Sequence, residues 1–313
     1  MSPRIGGLVL IALGACGAQA QETVRLTSWQ VRDGIYMIVG AGGNTTVQIG
    51  DDGVLVVDTK LAAASGVLLD AIRQLSSKPI RYVINTHWHA DHVGSNELIA
   101  KSGSTIAGGN VSGAITDAGE GAAVIAHENV LARMSGQDPP PAFEAWPTVT
   151  LFMPRKDIYF NGEAIEILHQ PAAHTDGDTV VFFRRADVVS TGDVFTTTAY
   201  PVIRREDGGG IDGVVAALNR IIEITVPKEK QEGGTLVIPG HGRLSDEADV
   251  VEYRDMVTII RDRIKSMVEM GMTLRQVQAA KPTADYDGRY GATSGLWTTE
   301  QFVAAAYESL QND

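Results

Sequence analysis

Residues 84–92 read Ile84-Asn85-Thr86-His87-Trp88-His89-Ala90-Asp91-His92. The four metal-competent side chains in this run follow residues 80–84, whose β-branched and aromatic composition predicts a buried strand. A strand that ends in such a cluster delivers imidazoles and a carboxylate to the edge of a sheet. His87 and His89 alternate by two and could share one metal, and Asp91 and His92 could face a second. Neutral imidazoles with a carboxylate suit zinc, and also iron or manganese.

Three residues further along the chain stand next to predicted strands in a similar way. His174 lies in a turn-rich segment just before one strand, and Asp193 and His241 each follow a short apolar strand. Glycine or a turn beside each residue lets the backbone bend sharply there. Such a recurrence is what a site at the edge of a sheet sandwich requires.

Taken together, these residues give the chain a specific resemblance to a known family. The run His-x-His-x-Asp-His, followed in order by His174, Asp193 and His241, is similar to the motifs of the metallo-β-lactamase superfamily. Asp58, at the end of the apolar strand 54–57, matches the first motif of that family. The resemblance covers about residues 30–245.

The resemblance implies a role for each matching residue. It assigns His87, His89 and His174 to a first metal. It assigns Asp91, His92 and His241 to a second metal, with Asp193 bridging the two. Asp58 is not a ligand in the family, where this residue orients the metal-binding loop.

The implied activity is that of a dinuclear zinc hydrolase in which a metal-bridging hydroxide attacks a carbonyl. Asp91 would accept and relay a proton, and Trp88 and Tyr200 are candidate substrate contacts. The predicted export and the long spacing from His92 to His174 resemble the β-lactamases, so a β-lactam-like cyclic amide is the expected substrate. Asp193 instead resembles lactonase and thioesterase branches such as glyoxalase II, which makes such an activity the alternative.

Two hypotheses of other classes stay open at this point. Some relatives bind iron and perform redox chemistry, and the complete ligand set allows iron. A binding protein that has lost catalysis is the other, although decayed members usually lose ligands, and this chain keeps all of them.

The N-terminus has the pattern of an export signal. Residues 1–4 form a small basic region, residues 5–15 are apolar, and residues 18–20 form a small-x-small cleavage site, so Gln21 is the expected first mature residue. The expected location of the protein is therefore the periplasm or the exterior of the cell. Cys16, which is the only cysteine of the chain, lies in a run similar to a lipobox, and a lipoprotein anchored there is the second reading.

Composition limits the partners that we expect. The net charge of −12 argues against nucleic acid, since phosphate binding favours a basic face. The apolar run near the N-terminus is too short to be an integral membrane span. A small-molecule substrate is therefore the expected partner, and the oligomeric state is not predicted.

The element pattern predicts an α/β fold of four layers, the αβ/βα sandwich, with extra C-terminal helices. We expect a catalytic domain over 21–245 and a helical extension over 246–313 packed on the same domain, where it could also cover the groove. Residues 30–39 predict one strand, and residues 122–134 predict a helix. Residues 110–148 form either a substrate-facing insertion or a packed connector. His127 and His169 match no motif, and we interpret both as structural.

Overall fold

The computed structural model describes residues 24–105, 121–230 and 233–311, and the strands of these residues form two sheets. The first sheet contains β1 (Thr27–Arg32), β2 (Ile35–Val39), β3 (Thr45–Ile49), β4 (Val54–Val57), β5 (Ile80–Ile84), β6 (Ala123–His127) and β7 (Val149–Leu151), paired in chain order. The second sheet contains β8 (Arg155–Phe160), β9 (Glu163–His169), β10 (Thr179–Phe183), β11 (Val188–Ser190), β12 (Leu236–Ile238) and β13 (Ser245–Asp246), also paired in chain order.

Helices lie between and after the strands. They are α1 (Ser65–Leu75), α2 (Ala90–Val93), α3 (Asn96–Lys101), α4 (Glu128–Ser135), α5 (Ile211–Ile224), α6 (Glu247–Glu269), α7 (Leu274–Ala280), α8 (Asp287–Tyr290) and α9 (Thr299–Gln311). Asp246 and Asp249 form a capping box at the start of α6, and Thr273 caps α7 as its sequence predicts. In the described part of the chain, none of the helices is both long and apolar enough to cross a membrane.

The apolar side chains of the two sheets sort into layers. In β4, Leu55 and Val57 face the second sheet, whereas Val54 and Val56 pack with α1 and α3 on the outer face. The second sheet buries Phe183 and its neighbours against the first sheet, and its other face packs against α5, α6 and α9. The predicted four-layer sandwich with C-terminal helices is therefore confirmed.

Strand direction explains why one edge of this sandwich collects the polar residues. β4 runs parallel to β5, and β11 runs parallel to β12, so the residues that follow these strands emerge on a common side of each sheet. β10 is antiparallel to β11, which places its start at the same edge. The two sheets are joined there, since the amide of Thr179 donates to the carbonyl of Thr86 at 2.8 Å.

Two sequence-based predictions are wrong in part. Residues 30–39 form the end of β1 and the whole of β2, because Gly34 adopts a left-handed φ of 73° and turns the chain into a hairpin. The helix predicted over 122–134 begins only at Glu128. The preceding residues form β6, because pairing with β5 and β7 in the buried sheet outweighs their local helical pattern.

Some expectations fall outside the described residues. They include the export signal over 1–20 and residues 110–120 of the region 110–148. Of the region 110–148, the described part from residue 121 supplies β6 and α4, and Ala126, Val130 and Met134 are buried there. That part behaves as a packed connector.

The layered packing predicts how stability responds to truncation of a core aromatic. Phe183 is fully buried between the sheets, so Phe183→Ala should lower the free energy of unfolding by about 3–5 kcal/mol. Phe152→Ala is the matched control, because Phe152 is 70 % exposed and its loss should cost less than about 0.5 kcal/mol. Urea unfolding followed by circular dichroism measures both, and equal midpoints would contradict the layer assignment.

Candidate metal centre

The two halves of the sandwich bring the predicted ligands together in three overlapping groups. These groups are His87, His89 and His174; His87, His92 and Asp193; and Asp91, His92 and His241. Within each group the ligand atoms lie within 4.8 Å of one another. The seven residues come from the segments that follow β5, β11 and β12, including α2, and from the loop before β10, as the strand directions require.

Asp193 stands between the two outer groups. Its Oδ2 lies 4.0 Å from Nε2 of His87 and 3.8 Å from Nε2 of His174. Its Oδ1 lies 3.2 Å from Nε2 of His92 and 3.3 Å from Nε2 of His241. Each carboxylate oxygen thus faces a different set of imidazoles, which is the geometry of a residue able to bridge two cations.

Asp58 organises the inner side of the site without facing the cavity. Its Oδ1 accepts from the Thr86 amide at 2.8 Å. Its Oδ2 accepts from the Thr86 hydroxyl and from Nδ1 of His92, both at 2.7 Å. Because the Thr86 hydroxyl donates to Asp58, it can accept from Nδ1–H of His87, which is 3.1 Å away. Both imidazoles are therefore left with Nε2 directed at the site.

His89 is held by a carboxylate that the sequence analysis did not identify. Nε2–H of His89 donates to Oδ2 of Asp207 at 3.3 Å, which leaves Nδ1 for the site. Arg133 fixes Asp207 with a hydrogen bond of 2.9 Å and binds Asp176 through two more. A carboxylate behind a ligating histidine sets the ring orientation and raises its basicity.

The first group of imidazoles fits a cation on its own geometry. Nδ1–H of His174 donates to the carbonyl of Val202 at 2.5 Å, so its Nε2 carries a lone pair. Nε2 of His174 lies 2.8 Å from Nδ1 of His89. The proton of the His89 ring is on Nε2, where it is donated to Asp207. Burial lowers the pKa of both rings, and that of His89 falls to about 4, so neither gains a proton to share. Nε2 of His87 is also buried, with no hydrogen-bond partner among the described residues. A positive ion relieves this convergence of lone pairs.

The group that contains His241 has a different charge balance. Burial lowers the pKa of His241, but Asp193 and Asp91 raise it to about 9. Burial opposes the charged form of His92 as well, yet Asp193 and Asp58 hold its pKa well above the usual value. Asp91 and Asp193 thus face the two imidazoles from the site, and Asp58 contacts His92 through its other nitrogen. Such a set of nitrogen and oxygen donors suits zinc and also accepts iron or manganese.

Two glycines allow the loops to approach the ligands closely. A β-carbon on Gly240 would lie 2.1 Å from Oδ1 of Asp193, and one on Gly43 would lie 2.3 Å from the ring of His92. Asn44 ties these loops together, since its side-chain amide donates to the carbonyls of Pro239 and Gly242. Larger residues at either glycine would displace a ligand.

The metal groups open into a cavity of about 610 Å³. His89, Asp91, His174, Asp193 and His241 form its floor. The remaining walls are mostly apolar and come from distant parts of the chain: Leu61, Ala90, Ala199, Val202, Leu296 and Trp297, together with Arg204 and two threonines, Thr196 and Thr198. The C-terminal extension therefore contributes part of the wall.

Both expected substrate contacts require correction. Tyr200 is buried, and its hydroxyl donates to Asp287 at 2.9 Å and to the carbonyl of Thr283, so it anchors the C-terminal segment and does not face the cavity. Trp88 is partly buried, packs beside Met134 and its neighbours, and does not line the cavity. Its ring supports His89, with the two ring centroids 5.1 Å apart.

The two histidines outside the motifs lie away from the ligand groups. Their rings stack with centroids 3.7 Å apart. His127 caps α4 by accepting from the Asn129 amide, and His169 bonds the carbonyl of Asp176. Both roles are structural, as interpreted from the sequence.

The contact between His89 and Asp207 predicts an effect on one metal only. Asp207→Asn should weaken binding at the group containing His89 by about 10–100-fold and change the group containing His241 little. Competition with a chromogenic chelator, titrated against zinc, measures the two sites separately. Asp212→Asn is the matched control, because Asp212 lies on α5 and pairs with Arg261. Unchanged affinity at both sites of a folded Asp207→Asn protein would exclude this role.

Known proteins with similar folds cover much of the chain. A sec-alkylsulfatase, Pisa1 from Pseudomonas sp., superposes over 90 % of this chain and 50 % of its own, with a TM-score of 0.68 and 16 % identity. A metallo-beta-lactamase from Pontibacter korlensis superposes over 75 % of this chain and 99 % of its own, with a TM-score of 0.57 and 16 % identity. At this identity the likeness concerns the fold.

Sequence comparison gives a curated relative and a family. The chain is 26 % identical over 188 residues to the 2,4-dinitroanisole O-demethylase subunit alpha of Nocardioides sp. (strain JS1661), and the match covers 58 % of this chain. It spans 48 % of that relative, about half of its length. The profile of the metallo-beta-lactamase superfamily matches residues 39–245, which include every candidate ligand. The chain belongs to the metallo-β-lactamase superfamily of metal-dependent hydrolases.

Proposed function

We propose that this protein is a dinuclear zinc-dependent hydrolase that cleaves the carbonyl–nitrogen bond of a β-lactam-like cyclic amide. The placement of Asp193 carries this proposal, since its two oxygens face two separate groups of imidazoles at the floor of one cavity. Six donor residues arranged around the shared carboxylate of Asp193 suit two cations better than one.

Bound zinc ions supply Lewis acidity and lower the pKa of coordinated water towards neutrality. The chain's own residues determine where this chemistry happens. Asp91 lines the cavity, is about one-third exposed and lies 3.2 Å from Nε2 of His241, so its carboxylate can accept a proton from water and pass it to the leaving group. The mostly apolar walls limit the access of bulk water, which strengthens electrostatic interactions at the floor.

A lactone or thioester is the second candidate substrate. Asp193 favours this alternative, since it is the residue that resembles lactonases and thioesterases, and residues 21–313 contain no cysteine to serve at the second metal. The names of the relatives add an ether and a sulfate ester as further substrates to test.

Activity assays with zinc-loaded protein test the proposal. We expect nitrocefin to be hydrolysed, chelation to abolish turnover and added zinc to restore it. At saturating zinc, Asp91→Asn should lower kcat by about 100-fold or more, because the proton acceptor is lost while His92, His241 and Asp193 can still hold the second metal. Asp212→Asn again serves as the control and should keep full activity.

The outcomes separate the candidates. Turnover of an acyl-homoserine lactone or a thioester without nitrocefin hydrolysis would move the assignment to the alternative. Absence of turnover with all three, in folded protein shown to contain two zinc ions, would contradict a carbonyl hydrolase. Purification with iron and a visible absorption spectrum would instead support the redox hypothesis, and retained metal with no turnover of any kind would support a binding protein.

We also propose that the protein is exported and cleaved after Ala20. The support is the N-terminal pattern of basic, apolar and small-x-small segments. Intact mass of the protein from a periplasmic fraction should correspond to a chain that begins at Gln21. A mass corresponding to an acylated chain that begins at Cys16 would support the lipoprotein reading, and full-length protein in the cytoplasm would contradict export.

A further inference from the structure

Arg204 brings an uncommitted positive charge to the cavity. Its backbone is fixed beside the metal groups, since its amide donates to the carbonyl of His174 at 3.0 Å. Its side chain lines the cavity, and its Nε is buried with no hydrogen-bond partner among the residues described. Its nearest ion pair is distant, because NH1 lies 3.8 Å from Oε1 of Glu206. Arg133 and Arg205, by contrast, already donate to protein oxygens at 3.1 Å or less.

The loop between α8 and α9 brings an apolar surface to the same cavity. Leu296 is 96 % exposed, and a left-handed turn at Gly295 precedes it. Trp297 is anchored by its indole N–H, which donates to the carbonyl of Pro201 at 3.2 Å, three residues before Arg204. Leu61, which is 40 % exposed, adds apolar surface from the other half of the chain. Leu61, Leu296 and Trp297 together form an apolar surface at one cavity, and a contiguous exposed apolar patch is typical of a ligand-binding groove.

We infer that the cavity selects amphiphilic anions: compounds with an apolar group that contacts Leu296 and Trp297 and an anionic group that pairs with Arg204. This inference rests on the proposed function for the reacting bond and adds the class of molecule that carries that bond. A planar guanidinium with free donors matches the oxygens of a carboxylate or a sulfate in a two-point contact. The protein as a whole is acidic, so a local cation is needed to attract such a group.

Binding without turnover tests this selectivity independently of any reaction. Calorimetry on the zinc-loaded protein compares 4-phenylbutyrate with 4-phenylbutanol, which differ in charge but share the apolar group. We expect the acid to bind about tenfold more tightly than the alcohol, a preference that Arg204→Gln removes and Arg204→Lys partly restores. Arg220→Gln is the matched control, since Arg220 is exposed on α5 and pairs with Glu223, and it should leave the preference unchanged.

The apolar contact of Leu296 with the ligand is tested by a separate variant. Leu296→Ser should weaken both ligands by a similar factor, roughly fivefold, since it removes apolar contact and no charge. Because Leu296 is exposed, this substitution should leave the unfolding midpoint unchanged. An unaltered affinity for both ligands in this variant would overturn the role of the loop.

Other outcomes overturn the charge assignment. A preference for the acid that persists in Arg204→Gln would mean that the metals hold the carboxylate. Equal affinities of the acid and the alcohol in the unaltered protein would contradict the inference, as would binding of neither. None of these results depends on hydrolysis of nitrocefin, so the inference and the proposed function can fail separately.

Discussion

Three imidazoles of this protein point their lone pairs into one buried space. Nε2 of His174 and Nδ1 of His89 approach to 2.8 Å, and Nε2 of His87 completes the group with no hydrogen-bond partner among the described residues. Burial keeps these rings neutral, so the protein itself offers no proton to relieve the repulsion. The arrangement is favourable only with a cation at its centre. Hydrogen bonds to the other nitrogen of each ring hold the three rings in this orientation.

Those supporting residues explain how the fold prepares the site. Asp58 ends β4 and fixes both Thr86 and His92, so one carboxylate orients ligands of both groups. Asp207 performs the same task for His89 from the other half of the sandwich. Four of the ligand rings are thus held through the nitrogen that faces away from the cavity, those of His87, His89, His92 and His174. Orientation of this kind lowers the cost of assembling the site when metal binds.

The ligands could be predicted from sequence because each stands next to a short apolar strand. The spacing of His87, His89, Asp91 and His92 is local information, and the strands near His174, Asp193 and His241 are recognisable by their composition. Asp207 and Arg204 gave no such signal. Asp207 lies in a polar, glycine-rich loop, and its contact with His89 spans 118 residues. The role of Arg204 depends on which neighbouring arginines are already paired.

The wrong predictions for the residues of β6 and for Tyr200 have the same origin. The residues of β6 have a locally helical pattern, and they become a strand because β5 and β7 offer hydrogen bonds on both sides. Tyr200 follows a ligand loop closely in sequence, but its hydroxyl is used by Asp287 and Thr283. A window of sequence contains neither kind of partner. Contacts between distant segments decided each case.

The anchoring of Trp297 to Pro201 joins the C-terminal segment to the segment that follows the candidate ligand Asp193. Every candidate ligand precedes residue 242, whereas Leu296 and Trp297 reach the cavity from the last quarter of the chain. Substitutions in that late segment can therefore reshape the wall of the cavity without changing any candidate ligand. Replacing this segment would therefore be a direct route to new ligand preferences with the candidate metal-binding residues unchanged.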